Sequence, residues 1–430
     1  MGASISSLNH QSRQILNDEV HARPSDKIRT PSSFVSITVL KNETIDEGER
    51  LASLMEELGG KPPPAGSKHL LTDLDACRLR WERHTEFTRY SFIQRDNVGS
   101  AFSSQPLDFI SDDWLQLCDG DLLAAINMYV LPMPDEGADI DRISTTCFSG
   151  NTLIGAMIAG SRAVGLTDFR IREDGFTRVL ILNEAMPEAQ TGRYVQRLME
   201  LEAYRMMALL ALPVAQGLFP QLNASEIELA AINESLVGSA TDEDSALLER
   251  LTILAAGNES RHAATDFRLS AASAYYSIVL QRNAELREDR ITGTQTFSEF
   301  ATRRLTPAMK TCDTVAERQQ SLVARMARAT QLLSTRIDVE RQRQNNDILS
   351  SLNQRMKSQL RLQATVEGIS VAAVTYYVVE LISSLARNLE MQGLPVNTSA
   401  VTIVAIPLVA ASVFYLVRRV RSRIEAEDPG

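Results

Sequence analysis

The sequence predicts an α+β protein: an N-terminal α/β domain with a mixed sheet, a long helical, coiled-coil-like stalk, and a C-terminal two-helix transmembrane hairpin. Three observations carry this. Short β-rich runs bounded by turn residues alternate with helical patterns over the first half of the chain. From Ala224 onward strand signals vanish and apolar residues recur at helical spacing. Near the C-terminus, Ile369–Ala386 and Val401–Val417 form two apolar runs joined by a short polar loop. The boundaries that follow are 1–220 for a cytosolic α/β domain, 221–368 for the stalk, 369–417 for the hairpin and 418–430 for a basic cytoplasmic tail.

In chain order, Leu8–Val20 reads as a short helix ending before His21-Ala22-Arg23-Pro24, because proline disfavours helix for the residue before it. Phe34–Leu40 is β-rich and alternating, a strand. Asp46–Leu58 carries Leu51, Leu54, Met55 and Leu58 on one helical stripe and stops at Gly59-Gly60. Lys61–Gly66 is a proline-rich turn. Cys77–Ile93 reads as a β-hairpin, with Leu79 and Trp81 alternating with Arg80 and Glu82 before a bend near His84-Thr85. Ile126–Leu131 is another strand. Thr167–Arg172 and Phe176–Asn183 flank Glu173-Asp174-Gly175, a hairpin signal.

Gly150, Gly155, Gly160 and Gly165 recur every five residues. Gly155–Ser161 has the outline of a phosphate-binding loop, but Ser161 stands where that loop needs its lysine. Bulges and close strand contacts account for these glycines instead.

Pro187–Gln216 is a long helix, polar at first and then rich in Met and Leu, ended by Pro213, Gly217 and Pro220. Glu243–Arg287 and Phe297–Gly368 follow as helices, with Pro307 marking the true start of the second. Asp338–Asp347 is polar all round and solvated. Ile348, Leu352, Met356 and Leu360 then restore an apolar stripe at steps of four. A helix from Ala308 to Gly368 would be about 90 Å long. Such a rod must pack on Glu243–Arg287, on partner chains, or on both.

The first apolar run contains one charge, Glu380; the second contains none, with Pro407 inside it. Arg355, Lys357 and Arg361 precede the first, and Arg418, Arg419, Arg421 and Arg423 close the second. Basic residues on both outer flanks put both termini in the cytoplasm and the loop Arg387–Ala400 outside. A charge inside a span costs roughly 2.5–3.5 kcal/mol, so Glu380 is expected to face a partner helix or a pore rather than lipid.

The chain has 430 residues and a net charge of −10, which argues against a nucleic-acid binder. Cys77, Cys118, Cys147 and Cys312 are scattered without a CxxC pair, as in a reduced, cytosol-facing protein. Met1–Arg13 lacks the apolar region of a signal peptide. Gly2 and Ser6 match the short, common myristoylation pattern, which only a eukaryotic host would use.

Two segments are dense in complementary charge: Glu19, His21 and Arg23, and Arg80, Glu82, His84 and Glu86. If they meet, carboxylate and imidazole together offer a divalent-metal site or acid–base chemistry. The alternative is a salt-bridge network pinning the N-terminus to the sheet. No HExxH, GxSxG or Walker lysine is present, so no enzymatic activity is predicted.

Asp18-Glu19-Val20-His21-Ala22-Arg23-Pro24 and Trp81-Glu82-Arg83-His84-Thr85-Glu86-Phe87 resemble the signatures of a bacterial family of membrane-anchored proteins of unknown function. Thr167-Asp168-Phe169-Arg170 and Val366-Glu367-Gly368 are similar to that family too. The N-terminus departs from it in lacking a His-Pro-Leu-Arg start. The resemblance implies the bacterial inner membrane as location and brings no activity. The architecture also resembles the CorA-type magnesium transporters more loosely. Their Gly-Met-Asn at the end of the first span is replaced here by Ser384-Leu385-Ala386-Arg387-Asn388. The reading that results is an oligomeric, cytosol-facing binding or scaffolding protein on a lipid bilayer. A CorA-like cation transporter is the alternative, and a membrane-tethered hydrolase comes third.

Overall fold

The structure is a computed structural model that describes residues 10–14, 16–17, 25–42, 46–64, 66–75, 77–95, 101–103, 107–238, 243–392, 395 and 397–427. It divides into two compact units, residues 1–238 with 246–330, and residues 239–245 with 331–430.

The first unit is built on one nine-stranded sheet. Its strands are β1 (Ser32–Leu40), β2 (His69–Asp73), β3 (Arg78–Arg83), β4 (Phe87–Arg95), β5 (Leu122–Pro132), β6 (Ile154–Ile158), β7 (Ala163–Thr167), β8 (Thr177–Asn183) and β9 (Asp289–Arg290). Their spatial order is β2-β3-β4-β1-β5-β8-β7-β6-β9. The β5–β8 pair is parallel and the other ladders are antiparallel, so the sheet is mixed as expected.

β1 is central and buried along nearly all its length. Its side chains alternate between faces. Val35, Ile37 and Val39 join Leu79, Trp81, Tyr90 and Phe92 in one core, covered by α1 (Glu47–Glu57) and the short α2 (Asp112–Gln116). Asp46 caps α1 by accepting from Gly48 N at 2.8 Å. Phe34 joins Ile93, Ile126 and Met128 in the opposite core, under α4 (Glu188–Leu209). Arg80, Glu82, Arg89, Ser91 and Ser36 share the parity of Phe34 and Ile93. A charged strip therefore lies on a sheet face that is buried rather than solvated.

Of the glycine run, Gly155 and Gly165 stand at a close strand contact as expected, whereas Gly150 and Gly160 lie in turns rather than at bulges. A Cβ on Gly155 would lie 2.6 Å from Gly165 O on the neighbouring strand, while Gly160 adopts φ +67° in the β6–β7 turn. The hairpin around Glu173-Asp174-Gly175 also forms, but its first strand is Ala163–Thr167 and not Thr167–Arg172. Thr167 and Asp168 end it early: their side chains accept from Phe169 N at 3.1 Å and Arg170 N at 3.2 Å, turning the chain out of the ladder.

Beyond the sheet come α3 (Ile140–Phe148), then α4, α5 (Ala211–Gly238) and α6 (Asp244–Glu285). The helix expected over Pro187–Gln216 instead breaks once near Leu210 and restarts, running on past Gly217. Pro213 sits in the first turn of α5, where its missing N–H has no helical partner to lose, and Pro220 is carried inside. The last long helix also begins earlier than Pro307. Thr296 and Glu299 form a capping box before the turn α7 (Phe297–Phe300), a π-helical turn spans Ala301–Leu305, and α8 (Thr306–Met391) continues without a gap. The wide turn absorbs the donor that Pro307 lacks. Leu218, Leu222, Leu229, Leu251, Leu269, Val279, Met309, Val315 and Leu322 form the core of this helical layer.

In the second unit, Arg336 reaches Asp244 at 2.9 Å. The distal part of α8 runs beside α9 (Thr398–Glu427). Ser383 and Thr402 share a hydroxyl hydrogen bond of 2.9 Å between the helices, and Ala386 and Ala405 are buried nearby. Small residues let two helices approach closely. Among the described residues, two helices are long and apolar enough to cross a membrane: the one that carries α8 and the stretch Thr398–Arg419.

Candidate functional site

The β3–β4 hairpin places Glu82 directly opposite Arg89. Arg89 donates to Glu82 Oε2 through Nε at 3.0 Å and Nη2 at 2.5 Å, and Arg80 donates to Oε1 at 3.0 Å. Burial alone pushes the Glu82 carboxyl up, but Arg89 and then Arg80 outweigh it and hold the group at about 2. Arg89 is itself buried, which disfavours its charge. Glu82 and then Glu200 more than compensate, so it stays a cation.

The network extends in both directions. Arg89 lies 3.9 Å from Glu200 on α4, and Glu200 accepts from Arg282 of α6 at 2.5 Å and from Gln196 at 2.7 Å. Arg282 and Arg197 both bind Glu285, at 3.1 and 3.0 Å. On the other side Arg80 and Arg78 approach Asp26 at 3.8 and 3.6 Å. Asp26, Arg80, Glu82, Arg89, Glu200 and Arg282 thus alternate in sign along one line. Two buried atoms along it, Asp26 Oδ2 and Arg89 Nη1, make no hydrogen bond. The segment carrying Asp26 lies tight on α4: Ile28 N donates to Glu188 O at 3.0 Å, and a Cβ on Gly192 would meet Asp26 O at 1.7 Å.

The turn of the hairpin makes a second latch. Glu86 accepts from Arg268 at 2.7 Å and from the Tyr275 hydroxyl at 2.6 Å, both on α6. Burial first and the Glu86 carboxylate second push the Tyr275 phenol up. His84 stacks on Phe87 at 4.3 Å, and Phe87 packs against Tyr204 and Tyr275.

Of the residues singled out in the sequence, Arg80 and Glu82 meet in the first cluster, while Glu86 and His84 lie at the hairpin turn. Glu19, His21 and Arg23 lie outside the described residues. Glu380 is exposed on α8. Sequence reasoning missed Asp26, Arg89, Glu200 and Arg282. Strand alternation and hairpin register would have found Arg89. Nothing local marks Glu200, which looks like part of a solvated helix face. Among the described residues no three His, Cys, Asp or Glu side chains stand together to hold a metal ion. Chemically, the arrangement holds the Glu82 carboxyl between two guanidinium groups, far below the ordinary carboxylate range. That suits a fixed latch between sheet and helices.

The Thr167–Arg170 stretch makes a further fixed corner. Asp168 accepts from Asn151 at 2.8 Å and from Arg172 at 2.7 Å. Phe169, at φ 49°, stacks on Phe300 at 4.7 Å beneath the Arg205 guanidinium.

No curated protein and no solved structure matches the chain. The family described as "Protein of unknown function (DUF3422)" matches residues 8–424. That span covers nearly the whole sequence, both charged latches and both apolar helices included, and the chain belongs to this family.

Proposed function

We propose that this protein is a membrane-anchored, cytosol-facing binding or scaffolding protein of the bacterial inner membrane, acting as a homo-oligomer. The observation that carries the reading is the hairpin of two apolar helices, closed by the Ser383–Thr402 hydrogen bond and flanked by basic residues at its outer ends. Both helices present mostly exposed apolar side chains along their length, as lipid-facing spans do. Self-association is supported by the exposed stripe Ile348, Leu352, Met356 and Leu360, each more than half exposed in one chain. A helix with such a stripe buries it against a partner. Copies anchored in one membrane with one orientation would bring the same stripe together in parallel. Glu380, exposed within its apolar run, gains a protein neighbour in the same assembly.

The test is flotation of the full chain with membranes, followed by native mass spectrometry in detergent. Membrane association with a defined oligomer is expected. A chain that floats but stays monomeric at all concentrations would remove the scaffold reading. Divalent-cation flux in vesicles would favour the CorA-like transporter instead, and ester or amide turnover the tethered hydrolase.

A further inference from the structure

Where α8 and α9 meet at the polar end of the apolar runs, they leave a notch of about 330 Å³. Leu362, Val366 and Val417 form its apolar wall, and Gln359, Gln363 and Glu367 bring polar groups to it. Val417 is the last residue of the second apolar run, and Ile369 opens the first. Glu367 and Gln359 stand two and ten residues before Ile369, roughly 3 and 15 Å along a helix. In a membrane the notch would begin in the headgroup band, which adds about 5–7 Å beyond the hydrocarbon on each side.

The charge around it is one-sided. Between Ile348 and Gly368 and between Val401 and Arg423 the sequence holds seven cations: Arg355, Lys357, Arg361, Arg418, Arg419, Arg421 and Arg423. It holds one acid there, Glu367, with Glu425 next beyond Arg423; Glu367 and Arg419 each already make an interaction. Arg355, Lys357, Arg361 and Arg418 are all exposed. An apolar wall, two amides that donate and a surplus of cations fit a molecule with a phosphate and a hydrocarbon part. Free phosphate has no use for the wall. A zwitterionic lipid brings an ammonium group that the arginines repel.

The geometry points to an anionic phospholipid seated in this notch, its phosphate at the nearer amide, Gln363, and the guanidinium groups, and its glycerol end against Val366 and Val417. The inference rests on the membrane reading proposed above.

The full chain would be reconstituted in equal phosphatidylglycerol and phosphatidylethanolamine. Lipid retained after detergent extraction would then be counted by native mass spectrometry. Preferential retention of phosphatidylglycerol is expected, falling about fivefold in Arg418→Gln. Val366→Trp, at an exposed position, fills the notch and should abolish retention while flotation persists. Gln363→Leu removes a donor without adding bulk and should weaken it. Equal retention of both lipids, or full retention in Val366→Trp, overturns the inference. Failure of the wild type to float instead overturns the membrane reading beneath it.

Discussion

Glu82 and Arg89 sit face to face across adjacent strands, each 2% exposed, and a single Glu82 oxygen takes two of the arginine's donors. Such a pair adds little over a well-packed apolar pair, since both charges must leave water. Removing one partner is different, because the other charge stays buried and unmatched. Glu82→Ala leaves Arg89 with only the distant Glu200 at 3.9 Å and Arg80 with only Asp26 at 3.8 Å, and should cost about 3–5 kcal/mol. Urea denaturation of the detergent-solubilised chain measures this. A loss below about 1 kcal/mol would mean that the network is solvated.

The same pair sets a pH dependence. Glu82 titrates at about 2 in the folded chain, below its value near 4.3 unfolded. Its contribution is therefore complete above about pH 5 and is lost as pH falls from there toward 2. A lowered carboxylate pKa means the unfolded state binds the proton first, so acid destabilises. Unfolding midpoints between pH 6 and 3 should decline in the wild type. They should decline less steeply in Glu82→Gln, which has no carboxylate to protonate.

Gly192→Ala reverses the usual sign. In an exposed helix interior, alanine is favoured over glycine by about 1 kcal/mol. Here the added methyl meets Asp26 O at 1.7 Å, so either α4 or the Ser25–Pro31 segment must move. The variant should lose stability and show faster hydrogen exchange at Ile28, whose N–H is bonded to Glu188 O. Unchanged exchange there would place the segment elsewhere.

Glu86 ties the hairpin turn to α6. Tyr275→Phe removes one hydrogen bond and should cost about 1 kcal/mol, whereas Glu86→Ala also strands Arg268 and should cost about 1.5–3 kcal/mol. Exchange in α6 around Arg268–Tyr275 should rise more in the second variant. Equal effects would assign the turn's stability to the Phe87–Tyr204–Tyr275 aromatic packing instead.

The basic flanks predict topology. A reporter fused after Gly430 should be active only in its cytosolic form, and one placed in the connection between Met391 and Thr398, shorter than the Arg387–Ala400 loop expected from the sequence, only in its exported form. Activity in the opposite compartments would invert the hairpin.

What the sequence determined by itself is the part written in local patterns. The two apolar runs, the helical stretch after Ala224 and the β3–β4 hairpin are periodic over windows of ten to twenty residues, and period alone sets those elements. The strand order was not legible. β2 and β6 are five-residue strands, and a run that short has too few turns of period to register. The charged site divides the same way. Arg80, Glu82 and Glu86 stand out because they crowd one short motif. Glu86's partners Arg268 and Tyr275, and Glu200 and Arg282, which extend the network from Arg89, lie on helices far along the chain. An ion pair between distant segments leaves no periodic trace. In a helix that reads as polar on one face, only packing against the sheet decides that Glu200 is buried and not solvated. The sequence pattern also puts a helix end around Pro213 and a helix start at Pro307. The fold carried helix through both, because a helix start and a π-turn are places where the missing donor has no partner to lose.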